Sequence, residues 1–190
     1  MLNNFRESLK PTLQNIGKIF ASTGLSANFW TAVGLCFAFA SAIVYAVHFE
    51  YSFVIGGILL LVSGFFDIVD GQVARITGKT SKKGAFLDSV FDKIAEVAIF
   101  IGILIGGYSQ GYLVLLAIGL SLLVSYTRAR AESLGVQLQG MGIGERAERL
   151  LVIAIIGMIG FLNYAVVIVA IIAGITFVQR IMTTTNGIKD

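Results

Sequence analysis

Apolar residues run almost without interruption through six stretches of this chain, roughly 28–48, 52–75, 84–107, 111–133, 146–162 and 164–183. Each is near the ~20 residues that an α-helix needs to cross the hydrocarbon core of a bilayer. Two of the boundaries are faint, because Val97 to Thr127 and Leu150 to Gln179 carry no charge at all. The cluster Gly106-Gly-Tyr-Ser-Gln-Gly111 breaks the first run, and Asn163-Tyr164 after Gly160 breaks the second, as small and polar residues do. Each run is therefore expected to be a helical hairpin.

Ahead of these spans the pattern changes. Leu2, Phe5, Leu9, Leu13, Ile16 and Phe20 recur at steps of three or four, with Arg6, Lys10, Asn15 and Lys18 on other faces. That spacing predicts an amphipathic helix over 1–22 lying on the cytoplasmic leaflet, with Pro11 kinking or dividing it. A plain anchor with no catalytic part has the same pattern. The segment lacks a compact apolar core and a small-residue cleavage site, so no cleavable signal peptide is expected.

Composition agrees with the spans. The 190 residues are 56% hydrophobic and only 13% charged, and the mean hydropathy of +0.87 is outside the range of an average soluble domain. The expected fold is a single-domain (1–190), all-α integral membrane protein, a six-helix bundle over 28–183 preceded by the interfacial helix. All 14 Lys and Arg fall in the N-terminal segment, in 75–93, in 128–149 or after 179, and none lies near 48–52, 106–111 or 162–164. By the positive-inside rule both termini and the loops after the second and fourth spans face the cytoplasm, with the cell membrane as the expected location. No nucleic-acid partner is expected.

Asp67, Asp70, Asp88 and Asp92 are the residues that this pattern does not explain. An ionised carboxylate in or near hydrocarbon costs at least ~2.5 kcal/mol, so four together require compensating charge. Positions 67, 70, 71 and 74 form one helical stripe, and 84, 88, 92 and 96 form another. The short segment Gly78 to Lys83 makes the second and third spans antiparallel neighbours, so the two stripes face one another near the cytoplasmic surface. Two divalent ions about 3.5–4 Å apart would neutralise such a ring and clamp a pyrophosphate. Cys36 and His48 each stand alone, so a thiolate–imidazole zinc set is excluded and both read as incidental. Oxygen ligands point to a hard cation, Mg²⁺ or Mn²⁺.

Gly71 and Ala74 share the aspartate face, where small side chains either leave room for a ligand or allow close helix packing. Arg75 ends that stretch, as a ligand contact or as a topology determinant alone. A second basic group gathers on the same side of the membrane: Ser125, Arg128 and Arg130 at the end of the fourth span, Arg146 and Arg149 at the start of the fifth, and Arg180 near the end of the sixth. Guanidinium groups suit bidentate phosphate recognition. Glu132, Glu145 and Glu148 offer the plainer alternative of local ion pairs.

The string from Asp67 to Asp92 matches D-x2-D-G-x2-A-R-x8-G-x3-D-x3-D, and by it the chain resembles the CDP-alcohol phosphatidyltransferases. Gly24 to Asn28 is also similar to the start of that family's first span, with Ala27 where proline is frequent. The resemblance implies a homodimeric enzyme that displaces CMP from a CDP-linked lipid by means of an alcohol acceptor. It implies that Asp67, Asp70, Asp88 and Asp92 hold two metal ions, and that Asn28, Asp67, Gly71, Ala74, Arg75 and Gly84 meet the CDP-lipid. Asp92 is implied as the catalytic base too, a role that suits a carboxylate one turn beyond Asp88. Ser125 to Glu132 and Glu145 to Leu150 are similar to the members that take inositol phosphate. In those, residues matching Ser125, Arg128, Arg146, Arg149 and Arg180 bind the acceptor phosphate, while Ala147 replaces a proline common in the bacterial form and leans toward the archaeal one. Two rivals stand beside this reading: the same chemistry with glycerol phosphate, and a cation transporter, whose sites sit nearer the bilayer midplane.

Overall fold

The computed structural model describes residues 2–138 and 140–188, with side chains from Pro11 onward. Seven helices account for most of it: α1 (Leu2–Ala21), α2 (Ala27–Val47), α3 (Ser52–Ile76), α4 (Lys82–Ile105), α5 (Gly111–Ser133), α6 (Arg146–Met158) and α7 (Leu162–Gly187). Among the described residues there is no strand. The helix starts are written locally in the sequence. Ser26 Oγ accepts the Phe29 N–H at 3.2 Å and Ser81 Oγ accepts the Gly84 N–H at 3.0 Å, while Glu145 and Glu148 form a reciprocal capping box on α6. Gly107 and Gly160 take positive φ, +71° and +87°, and turn the two uncharged runs into hairpins as their composition predicts.

Two ends differ from the sequence expectation. Helix α6 stops at Met158 rather than 162, because the turn comes at Gly160, ahead of the polar pair. Helix α7 runs on to Gly187 rather than 183. The hydroxyls of Thr184 and Thr185 donate back to the carbonyls of Arg180 and Ile181 at 2.7 and 3.0 Å, so a polar end satisfies itself within the helix.

Four helices, α2, α3, α5 and α7, are long and apolar enough to cross a membrane. Helix α4 carries Lys82, Lys83, Asp88, Asp92, Lys93 and Glu96, and α6 has only 13 residues. Apolar side chains such as Ile43, Ile105, Leu115, Ile159 and Ile171 face outward, as hydrocarbon contact requires. Helix α1 continues through Pro11 without a break and docks on the C-terminal part of α3. A Cβ added at Gly17 would lie 2.7 Å from Gln72 Cβ, and Phe20 sets its ring edge-on against Trp30 at 4.8 Å. Its earlier stripe positions Leu2, Phe5 and Leu9, with Arg6 and Lys10, lie outside the described side chains.

Helix α2 packs on α3 and α4, and α6 packs on α3 and α7. In lipid, apolar surface gives no net drive for helix association, so close backbone approach and interhelical hydrogen bonds carry it. Ser41 Oγ donates to the Gly56 carbonyl at 2.7 Å and Ser63 Oγ to the Gly34 carbonyl at 2.8 Å. Gly102 lies directly against the Ala42 carbonyl, leaving no space for any side chain. At the end of the bundle away from the aspartates His48, read above as incidental, holds the α2 terminus with φ +48°, stacks on Tyr108 at 4.6 Å and bonds to the Gly106 carbonyl. It ties two turns together. Cys36 is exposed.

Candidate active site

Helix geometry alone brings the aspartates to one place. Asp67 and Asp70 are a turn apart on α3, Asp88 and Asp92 a turn apart on α4, and Gly78, with φ +66°, reverses the chain between them. One carboxylate oxygen from each of Asp67, Asp88 and Asp92 lies within 4.8 Å of the others. Asp70 stands apart from that trio but lines the same narrow cleft, together with Asp67, Asp92, Thr31, Ser63 and Arg146. It is 5% exposed, and among the described residues its Oδ2 has no hydrogen-bond partner. A buried oxygen of this kind ordinarily finds one.

These residues fit a pair of hard divalent cations. The donors are carboxylate oxygens only, three of them converge, and the fourth presents an unsatisfied oxygen to the same cleft. In the structure part of the compensating charge comes from α6. Arg146 Nη1 donates to Asp67 Oδ1 at 3.0 Å and also to Asp92 Oδ1, so one guanidinium bridges the two stripes.

The space beside the aspartates is open. No atom lies within 4 Å of a Cβ built on Gly71, which sets aside the close-packing reading of that glycine. Ala74 is half-buried and Arg75 exposed at the rim. A Cβ on Gly84 would lie 3.6 Å from Asn28 Oδ1, so the start of α2 and the start of α4 meet.

The basic group divides. Arg128 pairs with Glu132 at 2.9 Å, as the local reading expects, and Arg130 reaches only Ser133 Oγ at 3.5 Å. Ser125 Oγ donates to the Ser121 carbonyl at 3.2 Å. Arg149 is 1% exposed and bonded to Glu96, an acid that the sequence reading placed on the α4 stripe without a role. Glu145 and Glu148 cap α6 and leave these arginines alone. Arg180 is 3% exposed and donates to carbonyls: Val124 at 2.7 Å and Met141 at 3.2 Å. Among the described residues no acid pairs with it.

Thr31 and Ser63, which line the cleft, and Glu96, which pairs with Arg149 behind it, were left aside by sequence reasoning. Glu96 had a signal, the fourth step of 84, 88, 92 and 96. Thr31 and Ser63 had none, since their neighbours in sequence are apolar.

The model of the CDP-alcohol phosphatidyltransferase family matches residues 25–179, and the chain belongs to that family. It is 37% identical over 181 residues to the archaetidylinositol phosphate synthase of Pyrococcus horikoshii, covering 95% of each chain. The enzyme of the same name from Methanothermobacter thermautotrophicus is 41% identical over 153 residues, 80% of this chain and 75% of that one. Among solved structures, the Mycobacterium tuberculosis phosphatidylinositol phosphate synthase with CDP-DAG bound superposes with a TM-score of 0.78 at 26% identity, covering 90% of this chain and 92% of that one. A second crystal structure of that enzyme, in complex with manganese and citrate, gives 0.79 at 26% identity, over 91% and 88% of the two chains.

Proposed function

We propose that this chain transfers the phosphatidyl or archaetidyl group of a CDP-linked lipid to inositol phosphate and releases CMP. The observation that carries the reading is the convergence of Asp67, Asp88 and Asp92 within 4.8 Å beside an open space at Gly71. Asp67, Asp70, Asp88 and Asp92 would hold two ions, Mg²⁺ or Mn²⁺, which supply positive charge for the pyrophosphate and for departing CMP. Asn28, Gly71, Ala74, Arg75 and Gly84 frame the nucleotide and its diphosphate. Asp92 takes the proton of the acceptor hydroxyl as its oxygen bonds to the β-phosphorus of the CDP-lipid. The bond from that phosphorus to the bridging oxygen breaks, and CMP departs with the bonding electrons.

Arg146 reaches the acceptor phosphate from α6 and Arg180 from α7, with Arg128 and Ser125 on the α5 side; Arg149, expected in the same set, has its three nitrogens taken by Glu96 and the Gly144 carbonyl and stands behind the site. Arg180 supports this role because among the described residues no acid neutralises it, and guanidinium groups suit phosphate recognition. The chain crosses the cell membrane six times, with α1 on the cytoplasmic surface and the site facing the cytoplasm, in keeping with the absence of Lys and Arg at the outer turns. Homodimerisation follows the family resemblance. The test is CMP release by the purified protein given CDP-lipid and either inositol phosphate or glycerol phosphate. Turnover is expected with inositol phosphate, and preference for glycerol phosphate refutes the acceptor assignment.

A further inference from the structure

Two rungs join α4 to α6. Asp92 meets Arg146 on the first; Glu96 and Arg149, each one turn farther along its helix, form the second. The second rung is a fork: Arg149 Nε donates to Glu96 Oε1 at 2.8 Å and Nη2 to Oε2 at 3.0 Å, with both residues 1% exposed. Lys93 Nζ stands 3.8 Å from the same carboxylate. The remaining nitrogen of Arg149, Nη1, donates to the Gly144 carbonyl at 2.7 Å, and the Gly144 N–H donates to Thr176 Oγ1 at 2.9 Å. Thr176 is one turn before Arg180 on α7, and Arg180 holds the Met141 carbonyl at the other end of the same loop.

Stability alone does not account for such a pair. Replacing a buried ion pair by apolar side chains of similar size is often neutral or stabilising, because desolvation offsets the attraction. What the fork supplies is direction, since a bidentate guanidinium–carboxylate contact fixes both position and plane. We infer that Glu96 is a positioning residue of the acceptor site. By fixing Arg149 it sets the rotation of α6, which aims Arg146, and it anchors the loop 141–145, which Arg180 grips from α7. Glu96 itself touches no substrate. This rests on the assignment of Arg146 and Arg180 to the acceptor phosphate.

The experiment is steady-state CMP release with each substrate varied in turn, beside thermal unfolding of the same preparations. Glu96→Gln is expected to raise the KM for inositol phosphate on the order of 10-fold, the low end of what outer partners of ligand side chains contribute. The KM for CDP-lipid should stay within about 2-fold by the same argument. Glu96→Gln strands a buried charge, so the decisive variant is Glu96→Gln with Arg149→Met, which leaves a neutral pair. It is expected to unfold at the parent temperature and still show the raised acceptor KM. A folded double variant with the parent's acceptor KM overturns the inference, as does a parallel rise of both KM values. Glu96→Asp keeps the charge and shortens the reach, and is expected to fold and give a smaller rise of the acceptor KM alone; an unchanged KM counts against the inference. If the parent prefers glycerol phosphate, the acceptor reading fails separately, and the same variants measured with glycerol phosphate decide the role of Glu96.

Discussion

Helix α3 carries glycines at both ends, and they do opposite things. Near its N-terminal end Gly57 is wedged against Met158 and the Ala154 carbonyl of α6, and Gly56 against the ring of Tyr45; near its C-terminal end, beside the aspartates, Gly71 has nothing within 4 Å. The same division runs through α4, where Gly102 abuts the Ala42 backbone while Gly84 has only the side-chain oxygens of Ser81 and Asn28 near it. On these two helices the half away from the aspartates, the outer half, is closed by glycines, and the half that carries the aspartates, the inner half, is given room by them. Side-chain size tells nothing by itself here; what stands opposite decides whether a glycine binds helices or makes room.

The contrast can be broken most strongly from the inner half. Asp67→Asn, Asp70→Asn or Asp88→Asn removes ligand charge while keeping shape, and is expected to lower CMP release on the order of 100-fold, since metal ions contribute several kcal/mol to such transition states. Chelation should stop turnover of the parent in the same assay, with activity restored by Mg²⁺ or Mn²⁺. Full turnover in chelator would remove the two-ion site. In the outer half, Gly102→Ala forces a methyl group into the Ala42 carbonyl and is expected to cost about 1–3 kcal/mol, seen as a lowered Tm in detergent. An unchanged Tm would show that α2 and α4 are not clamped there.

The smallest effect is the sharpest test. Gly71→Ala meets no neighbour and replaces a poor helix former, so it is expected to stabilise the protein by about 0.5–1 kcal/mol. The same methyl group intrudes on the ligand space, and the KM for CDP-lipid should rise about 5-fold, roughly 1 kcal/mol. A raised Tm with a raised KM separates room from packing in one variant; a lowered Tm would mean that Gly71 is a packing glycine after all.

The spans were legible because hydrocarbon imposes a simple rule, and the boundaries of α2, α3 and α5 differ from the apolar runs by a residue or so. The aspartate site was legible as well, since steps of three and four on two helices joined by a short turn leave little freedom. Long-range partners were not. Glu96 was visible as the next step of a stripe, but its pairing with Arg149 joins positions 53 residues apart through the packing of α6, which no local pattern encodes. Arg146 was placed by charge alone at the same end of the bundle as the aspartates, yet its contact with Asp67 depends on the same packing.

That contact also has a history in time. Asp67 precedes its guanidinium partner by 79 residues, and α3 and α4 are complete before α6 exists. At ~5–20 residues per second of synthesis, the carboxylates wait roughly 4–16 s for Arg146. During that interval water, protons or divalent ions have to offset their charge in the nascent membrane segment. The order of the helices along the chain thus sets a window in which the growing bundle is short of positive charge, and the arrival of α6 closes it.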